Sequence, residues 1–263
     1  MSHAIDVTRP SVARMYDWLL GGKDNYASDR RACAQLLKLA PGTRDLALTN
    51  RLFLKRVVRV LAERYGVRQF LDHGSGLPTQ DNVHQVAQRV SPSARVVYID
   101  NDPMVLAHGR TLLDENDGTA VVQADMTDTD LIFENEDVKR LIDFSRPVAA
   151  LFVSVLHCLT DKEDPAGLVS RVAQRLSPGS FLVICQLTSE DATFRAETTA
   201  FMQEVTGRWG RVRERHEVDA FFHGTEVVQP GLLDVSQWLP DSDLAPCQRS
   251  SEWIEYGGVG RIR

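Results

Sequence analysis

The chain has 263 residues, 43% of them hydrophobic and 25% charged, with a formal net charge of −6. That length supports one α/β domain with additions and a substantial core. The mildly acidic balance lacks the field of a general nucleic-acid or anionic-membrane binder.

The cysteines, Cys33, Cys158, Cys185 and Cys247, are scattered and form no C-x-x-C pair, so neither a zinc site nor a disulfide framework is expected. Met1 to Pro10 has no apolar leader-like stretch, and no apolar run is long enough to span a bilayer. The expectation is a soluble protein of a reducing cytoplasm, with no membrane partner.

Thr8-Arg9-Pro10-Ser11 reads as a helix start, followed by Val12, Met15, Tyr16 and Leu19 at helical spacing and stopped by Gly21-Gly22. Lys23-Asp24-Asn25-Tyr26 reads as a polar turn. A second helix is expected over Asp29 to Leu39, and a third from near Thr43 to Tyr65, closed by Gly66. Residues 1–66 therefore form a helical extension ahead of a main unit, 67–263.

Gln69 to Leu77 is a buried strand that ends in Asp72 and breaks into a small loop containing Gly74 and Gly76. A helix is expected from about Thr79 to Val90, its N-terminal N–H groups aimed at the loop. Strands follow at Arg95–Asp100, Ala120–Asp125, Val148–Val155 and Phe181–Cys185. Helices alternate with them at Pro103–Leu113, around Val138 to Ile142, and from Asp164 to Leu176. This alternation predicts a doubly wound, Rossmann-like parallel sheet. A helix at Ala192–Val205 and two more strands, at least one antiparallel, complete the pattern between Glu226 and Ile262.

Three successive strands end in Asp72, Asp100 and Asp125. In an open α/β sheet those ends form the ligand crevice. A row of carboxylates accepts hydrogen bonds but repels phosphate. A ligand with sugar hydroxyls, an exocyclic amine, an ammonium and a positive sulfur fits it, and S-adenosylmethionine has all of these. Asp100 is placed to accept from the ribose hydroxyls, with Asn101 beside it. Asp125 is placed for the adenine amine, with Met126 against the ring. Asp72 lies under the loop, Gly74 and Gly76 leave room for the methionine part, and Ser154 offers backbone to it. Asn25 and the aromatic Tyr16 and Tyr26 suggest a lid, with Tyr16 or Tyr26 against the sulfonium. His157, just past the fourth strand, is a weak candidate for a base.

These residues carry a resemblance. Phe70-Leu71-Asp72-His73-Gly74-Ser75-Gly76, Val97-Tyr98-Ile99-Asp100, Ala124-Asp125 and Leu176-Ser177-Pro178-Gly179-Ser180 resemble the motif series of class I S-adenosylmethionine-dependent methyltransferases. The run from Arg9 to Tyr26, together with Gly76-Leu77-Pro78-Thr79, Asn82 and Tyr98-Ile99-Asp100-Asn101-Asp102-Pro103, is similar to a bacterial S-adenosyl methyltransferase family once counted among domains of unknown function. The resemblance implies the fold and the cofactor, and leaves the methyl acceptor open; a small molecule is the expectation. A non-catalytic sensor of S-adenosyl ligands is the alternative. An NAD-linked oxidoreductase is disfavoured, because Thr79 stands where the dinucleotide fingerprint wants its third small residue.

Overall fold

The structure, a computed structural model, describes residues 6–79, 81–112, 116–242, 245, 247–248 and 252–263. Three helices come first: α1 (Val12–Leu19), α2 (Ala27–Leu39) and α3 (Thr43–Arg64). Five parallel strands follow, β1 (Gln69–His73), β2 (Arg95–Asp100), β3 (Thr119–Gln123), β4 (Ala149–Val153) and β5 (Phe181–Thr188). Between them run α4 (Val83–Val90), α5 (Pro103–Leu112), α6 (Thr129–Glu134), α7 (Glu136–Leu141) and α8 (Pro165–Arg175). The remainder holds α9 (Ala192–Thr206), α10 (Arg215–Asp219) and three strands, β6 (Thr225–Val227), β7 (Leu233–Asp234) and β8 (Ile254–Ile262).

The sheet order is β3-β2-β1-β4-β5-β8-β6. β8 runs antiparallel along the whole of β5, and its other edge is shared by β6 and β7. The expected fold class is therefore observed, with three terminal strands among the described residues instead of two. The Phe221-Phe222 pair forms a short 3-10 turn packed into the core.

The parallel strands are apolar on both faces, as strands covered from both sides must be. Leu71, Val97, Ile99, Ala150, Phe152 and Ile184 face a cluster that includes residues of α6, α7 and α8. Their neighbours Phe70, Val96, Tyr98, Leu151 and Val183 face α3 and α4. That alternation is the period of two of a strand. α3 is thus a core helix of the sheet as well as part of the N-terminal extension. Arg56 on it donates to the carbonyls of Trp238 (3.1 Å) and Val235 (2.7 Å), and Phe53 meets Trp238 edge-on at 5.7 Å.

A third cluster joins α1, α2 and the start of α3 to α9, Trp209 and Trp253. It roofs the carboxyl end of the sheet. Asp29 anchors the roof: its carboxylate accepts from the N–H groups of Ser11 (3.0 Å) and Tyr26 (2.7 Å) and from Arg14 Nε (2.9 Å). Arg14 and Asp29 are both buried.

Some element boundaries move. α4 begins at Val83, not Thr79, because Asn82 caps it and Gln85 returns a bond to the Asn82 N–H. The His84 N–H is taken by the Tyr98 hydroxyl at 2.9 Å. The helix N-terminus is therefore satisfied internally and is not offered to the glycine loop. β3 stops at Gln123, so Asp125 sits in the turn beyond it. The expected end of α5 at Leu113 lies outside the described residues. Among the described residues no helix is long and apolar enough to cross a membrane.

Candidate functional site

The strand order reverses between β1 and β4: β2 and β3 extend to one side and β5 to the other. Such a switch point opens a crevice at the carboxyl ends of the strands. Here it is a cavity of about 370 Å³, walled by the ends of β1, β2 and β4, by β8, and by α1 and α3. That is near the small end of ligand pockets, which run roughly 300–1,000 Å³.

The loop after β1 is built for close approach. Gly74 has φ 68°, and a Cβ there would sit 2.3 Å from Val155 Cγ2. Gly76 has φ 67°, yet a Cβ there would meet nothing within 4 Å, so the space above the loop is open. The Gly76 N–H donates to Asp100 Oδ2 at 2.8 Å, and the Asp102 N–H donates to Asp100 Oδ1 at 2.9 Å. Burial pushes the Asp100 carboxyl up, and those two N–H bonds pull it back only in part. Asp102 in turn caps α5 through the Met104 N–H (2.8 Å) and accepts from the Ser11 hydroxyl at 2.7 Å. That bond ties the entry of α1 to the rim beside Asp100.

Asp72 lies below, fully enclosed. Burial raises its carboxyl to about 7, Arg51 opposing and Asp100 reinforcing the rise. Across the cavity, Ser154 follows β4 with φ 57°, a left-handed conformation held by its N–H bond to the Cys185 carbonyl (2.9 Å). Its hydroxyl donates to Glu255 Oε1 on β8.

The candidate residues separate into two groups. Tyr16, Asp72, Gly74, Gly76, Asp100, Asn101, Met126, Ser154 and His157 all line this one cavity. Asn25, Tyr26 and Asp125 do not. The Asn25 amide is spent on Asp17 (2.8 Å) and the Gly22 carbonyl (3.0 Å), holding the turn after α1. The Tyr26 ring lies under the Arg14 guanidinium, 5.3 Å from it, and packs near Leu77 and Met104. Asp125 is turned to Arg208 and Thr127. Burial would raise it, but their hydrogen bonds win and hold it at about 2.

His157 is held neutral. Its Nδ1 faces the Leu187 N–H at 3.4 Å and its ring lies 4.7 Å from Trp209. Burial, helped by Arg213, pushes it down to about 3. A base so weak is poorly matched to proton transfer near neutrality.

Sequence reading missed Asn50, Arg51 and Glu255, which also line the cavity. Asn50 donates to the Tyr16 hydroxyl (2.9 Å), which itself donates to the Ala47 carbonyl (3.0 Å). The Asn50 carbonyl accepts the single hydrogen of the Cys185 thiol at 3.2 Å, and the Glu255 carboxyl lies beside that sulfur. A row of polar contacts thus runs from Tyr16 through Asn50 and Cys185 to Glu255 and Ser154. Burial brings the Glu255 carboxyl up to about 7 against the opposing pull of the Ser154 hydroxyl and the neighbouring Cys185 thiol. The buried polar atoms of the wall that have no hydrogen-bond partner among the described residues include Ser75 Oγ, Trp209 Nε1 and Glu255 Oε2.

A glycine loop, an acid beneath it and a switch-point cavity on this sheet define a Rossmann-like fold of the methyltransferase type. The chain belongs to the S-adenosyl methyltransferase family, whose profile matches residues 1–263. It is 40% identical to a candidate methyltransferase from Thermobifida fusca YX, over 98% of this chain and 97% of that one, with a TM-score of 0.90. A DUF574-family protein from Streptomyces avermitilis MA-4680 is 34% identical, over 98% and 99% respectively, with a TM-score of 0.89. An O-methyltransferase family protein from Burkholderia thailandensis shares the fold alone, at 14% identity and a TM-score of 0.51, over 84% of this chain and 60% of that one. No curated protein matches.

Proposed function

We propose that the chain transfers a methyl group from S-adenosylmethionine to a small-molecule acceptor. The carrying observation is the Asp100 carboxyl, set in the cavity wall at the switch point with its position fixed by the Gly76 and Asp102 N–H groups. The residues present fit the cofactor: open space above Gly76, an unpartnered Ser75 hydroxyl, and acceptor oxygens in place of phosphate-binding N–H groups.

In this reading the ribose hydroxyls bond to Asp100, with Asn101 beside them. Met126 packs against the adenine. Gly74, Gly76, Asp72 and Ser154 would receive the methionine part. Asp125 and Arg208 form the outer lip on the adenine side. When bound, the cofactor supplies an activated methyl on sulfur. The chain's own task is to align the acceptor and keep the site dry.

Residues 1–66 act as a lid extension on the unit 67–263. Pro10 to Tyr16 supply one cavity wall, and the Ser11–Asp102 bond latches it. Tyr16 faces the cavity, its phenol kept un-ionised by burial against the opposing pull of Arg51 and Asn50. Calorimetric titration with S-adenosylhomocysteine tests the cofactor site, and turnover of methyl-labelled cofactor against a metabolite panel tests the enzyme. Tight binding with no turnover across the panel would favour a sensor instead.

A further inference from the structure

The geometry points to Glu255 as the residue that receives the acceptor's proton, and to a compact, mostly apolar alcohol or phenol as the acceptor. This rests on the cofactor reading above.

The strand order divides the cavity. Asp100, after β2, and the glycine loop, after β1, lie on one side of the switch point. Ser154 after β4 and Glu255 on β8, paired in register with Leu187 of β5, lie on the other. A guest with its sugar at Asp100 and its chain over the loop brings its reactive end toward Ser154 and Glu255. The surrounding wall there is apolar: Leu159, Leu187, Met202, Trp209 and Trp253.

Glu255 is 2% exposed. Its Oε1 is committed to the Ser154 hydroxyl, while Oε2 accepts no hydrogen bond among the described residues, the Cys185 thiol being given to Asn50. A buried carboxyl oxygen left without a donor is costly, and a protein keeps one where a ligand supplies the missing hydrogen. An acceptor hydroxyl supplies it. In the transfer, the hydroxyl oxygen forms its bond to the methyl carbon as the carbon–sulfur bond breaks and that electron pair passes to sulfur. The hydroxyl proton goes to Oε2, and Glu255 returns it to water when product leaves. A group that ionises near neutrality is suited to this exchange. Alkylammonium acceptors are disfavoured, because the apolar wall offers their charge no hydration.

The test uses phenol as probe, titrated by calorimetry into the full-length chain saturated with S-adenosylhomocysteine. Phenol is expected to bind, more tightly at pH 8 than at pH 6, as Glu255 becomes a carboxylate. In Glu255→Gln the affinity at pH 8 should fall tenfold or more and the pH dependence attributable to Glu255 should vanish. The other groups near Glu255 are Cys185 on β5, Ser154 and Cys158 after β4, and Tyr16 on α1, with Arg51 and the titrating Asp72 elsewhere in the same cavity wall. They are the same in both proteins, so the difference reports Glu255.

Unchanged S-adenosylhomocysteine affinity in the variant shows that it has folded. Should it not fold, Ser154→Ala removes the bond that lowers the carboxyl, and the midpoint of phenol binding should move to higher pH. Phenol binding that is absent, equal in wild type and variant, or replaced by preferential benzylamine binding overturns the Glu255 inference and leaves the cofactor reading intact. Failure of S-adenosylhomocysteine to bind wild type overturns both.

Discussion

Replacing Asp100 probes the cofactor site most directly. The carboxylate holds the Gly76 and Asp102 N–H groups at 2.8 and 2.9 Å and stands in the cavity wall. Asp100→Ala removes the charged acceptor proposed for the ribose. A hydrogen bond to a charged group is worth roughly 1.5–3 kcal/mol, so the loss of one such bond weakens affinity roughly ten- to 150-fold. It also frees the Gly76 N–H, loosening the loop whose shape Gly74 requires. Asp100→Asn keeps the volume but turns one amide hydrogen toward an N–H donor, and should fall between wild type and Asp100→Ala. The assay is calorimetric titration with S-adenosylhomocysteine, with circular dichroism confirming the fold of each variant. Asp81→Asn is the control, since Asp81 pairs with Lys55 and Arg89 outside the cavity. If Asp100→Ala, well folded, binds within threefold of wild type, the ribose does not lie on Asp100.

Other expectations follow from the same geometry. Asp29→Ala strips Arg14 of its buried partner, and removing one member of such a pair costs about 3–5 kcal/mol; urea denaturation showing a loss under 1 kcal/mol would contradict the anchoring role. Ser11→Ala breaks the link to Asp102, so stopped-flow dissociation of S-adenosylhomocysteine should speed up several-fold while the melting temperature changes little. Glu255 titrates at about 7 in the fold, against 4.5 for the free side chain. The native state therefore binds more protons than the unfolded state between those values, and the group's stabilising share is full below about 4.5 and lost as pH rises through 7. Thermal melts of Glu255→Gln and wild type from pH 5 to pH 8 should move in the variant's favour by ~3 kcal/mol; a constant difference would mean that Glu255 is not perturbed. Trp238→Ala empties the contact with Phe53 beneath the sheet and should cost about 3–5 kcal/mol in urea melts.

The five parallel strands were legible because strands covered on both faces must be apolar throughout, and few other segments are. The starts of α1 after Ser11, of α5 at Pro103 and of α8 after Asp164 were legible for the same kind of local reason. The start of α4 was not, since Leu77-Pro78-Thr79 gives no sign that Asn82 will be the cap. Asn25 and Tyr26 looked like ligand contacts because polar and aromatic residues cluster there, but their groups are spent on Asp17, Gly22 and Arg14. Only the fold reveals that Asp17 sits against Gly22 and Asn25. Glu255 was missed for the opposite reason. An acid between Ile254 and Tyr256 reads as the solvent side of an alternating strand, and its burial depends on β5 flanking β8 and on helices far away in sequence. Asn50 read as one more position of an amphipathic helix, and its contacts to Tyr16 and Cys185 are equally non-local.

The row joining Tyr16, Asn50, Cys185, Glu255 and Ser154 stitches together both extremities of the described chain around a single hole. A guest seated in that hole clamps the whole seam shut and binds only the native arrangement. At a hundredfold excess over its dissociation constant such a guest adds about 2.7 kcal/mol to folding, and changes of that size alter how much protein survives cellular proteolysis. The amount of this protein in a cell should therefore follow the supply of its nucleoside, rising when the pool is full and falling when it is drained.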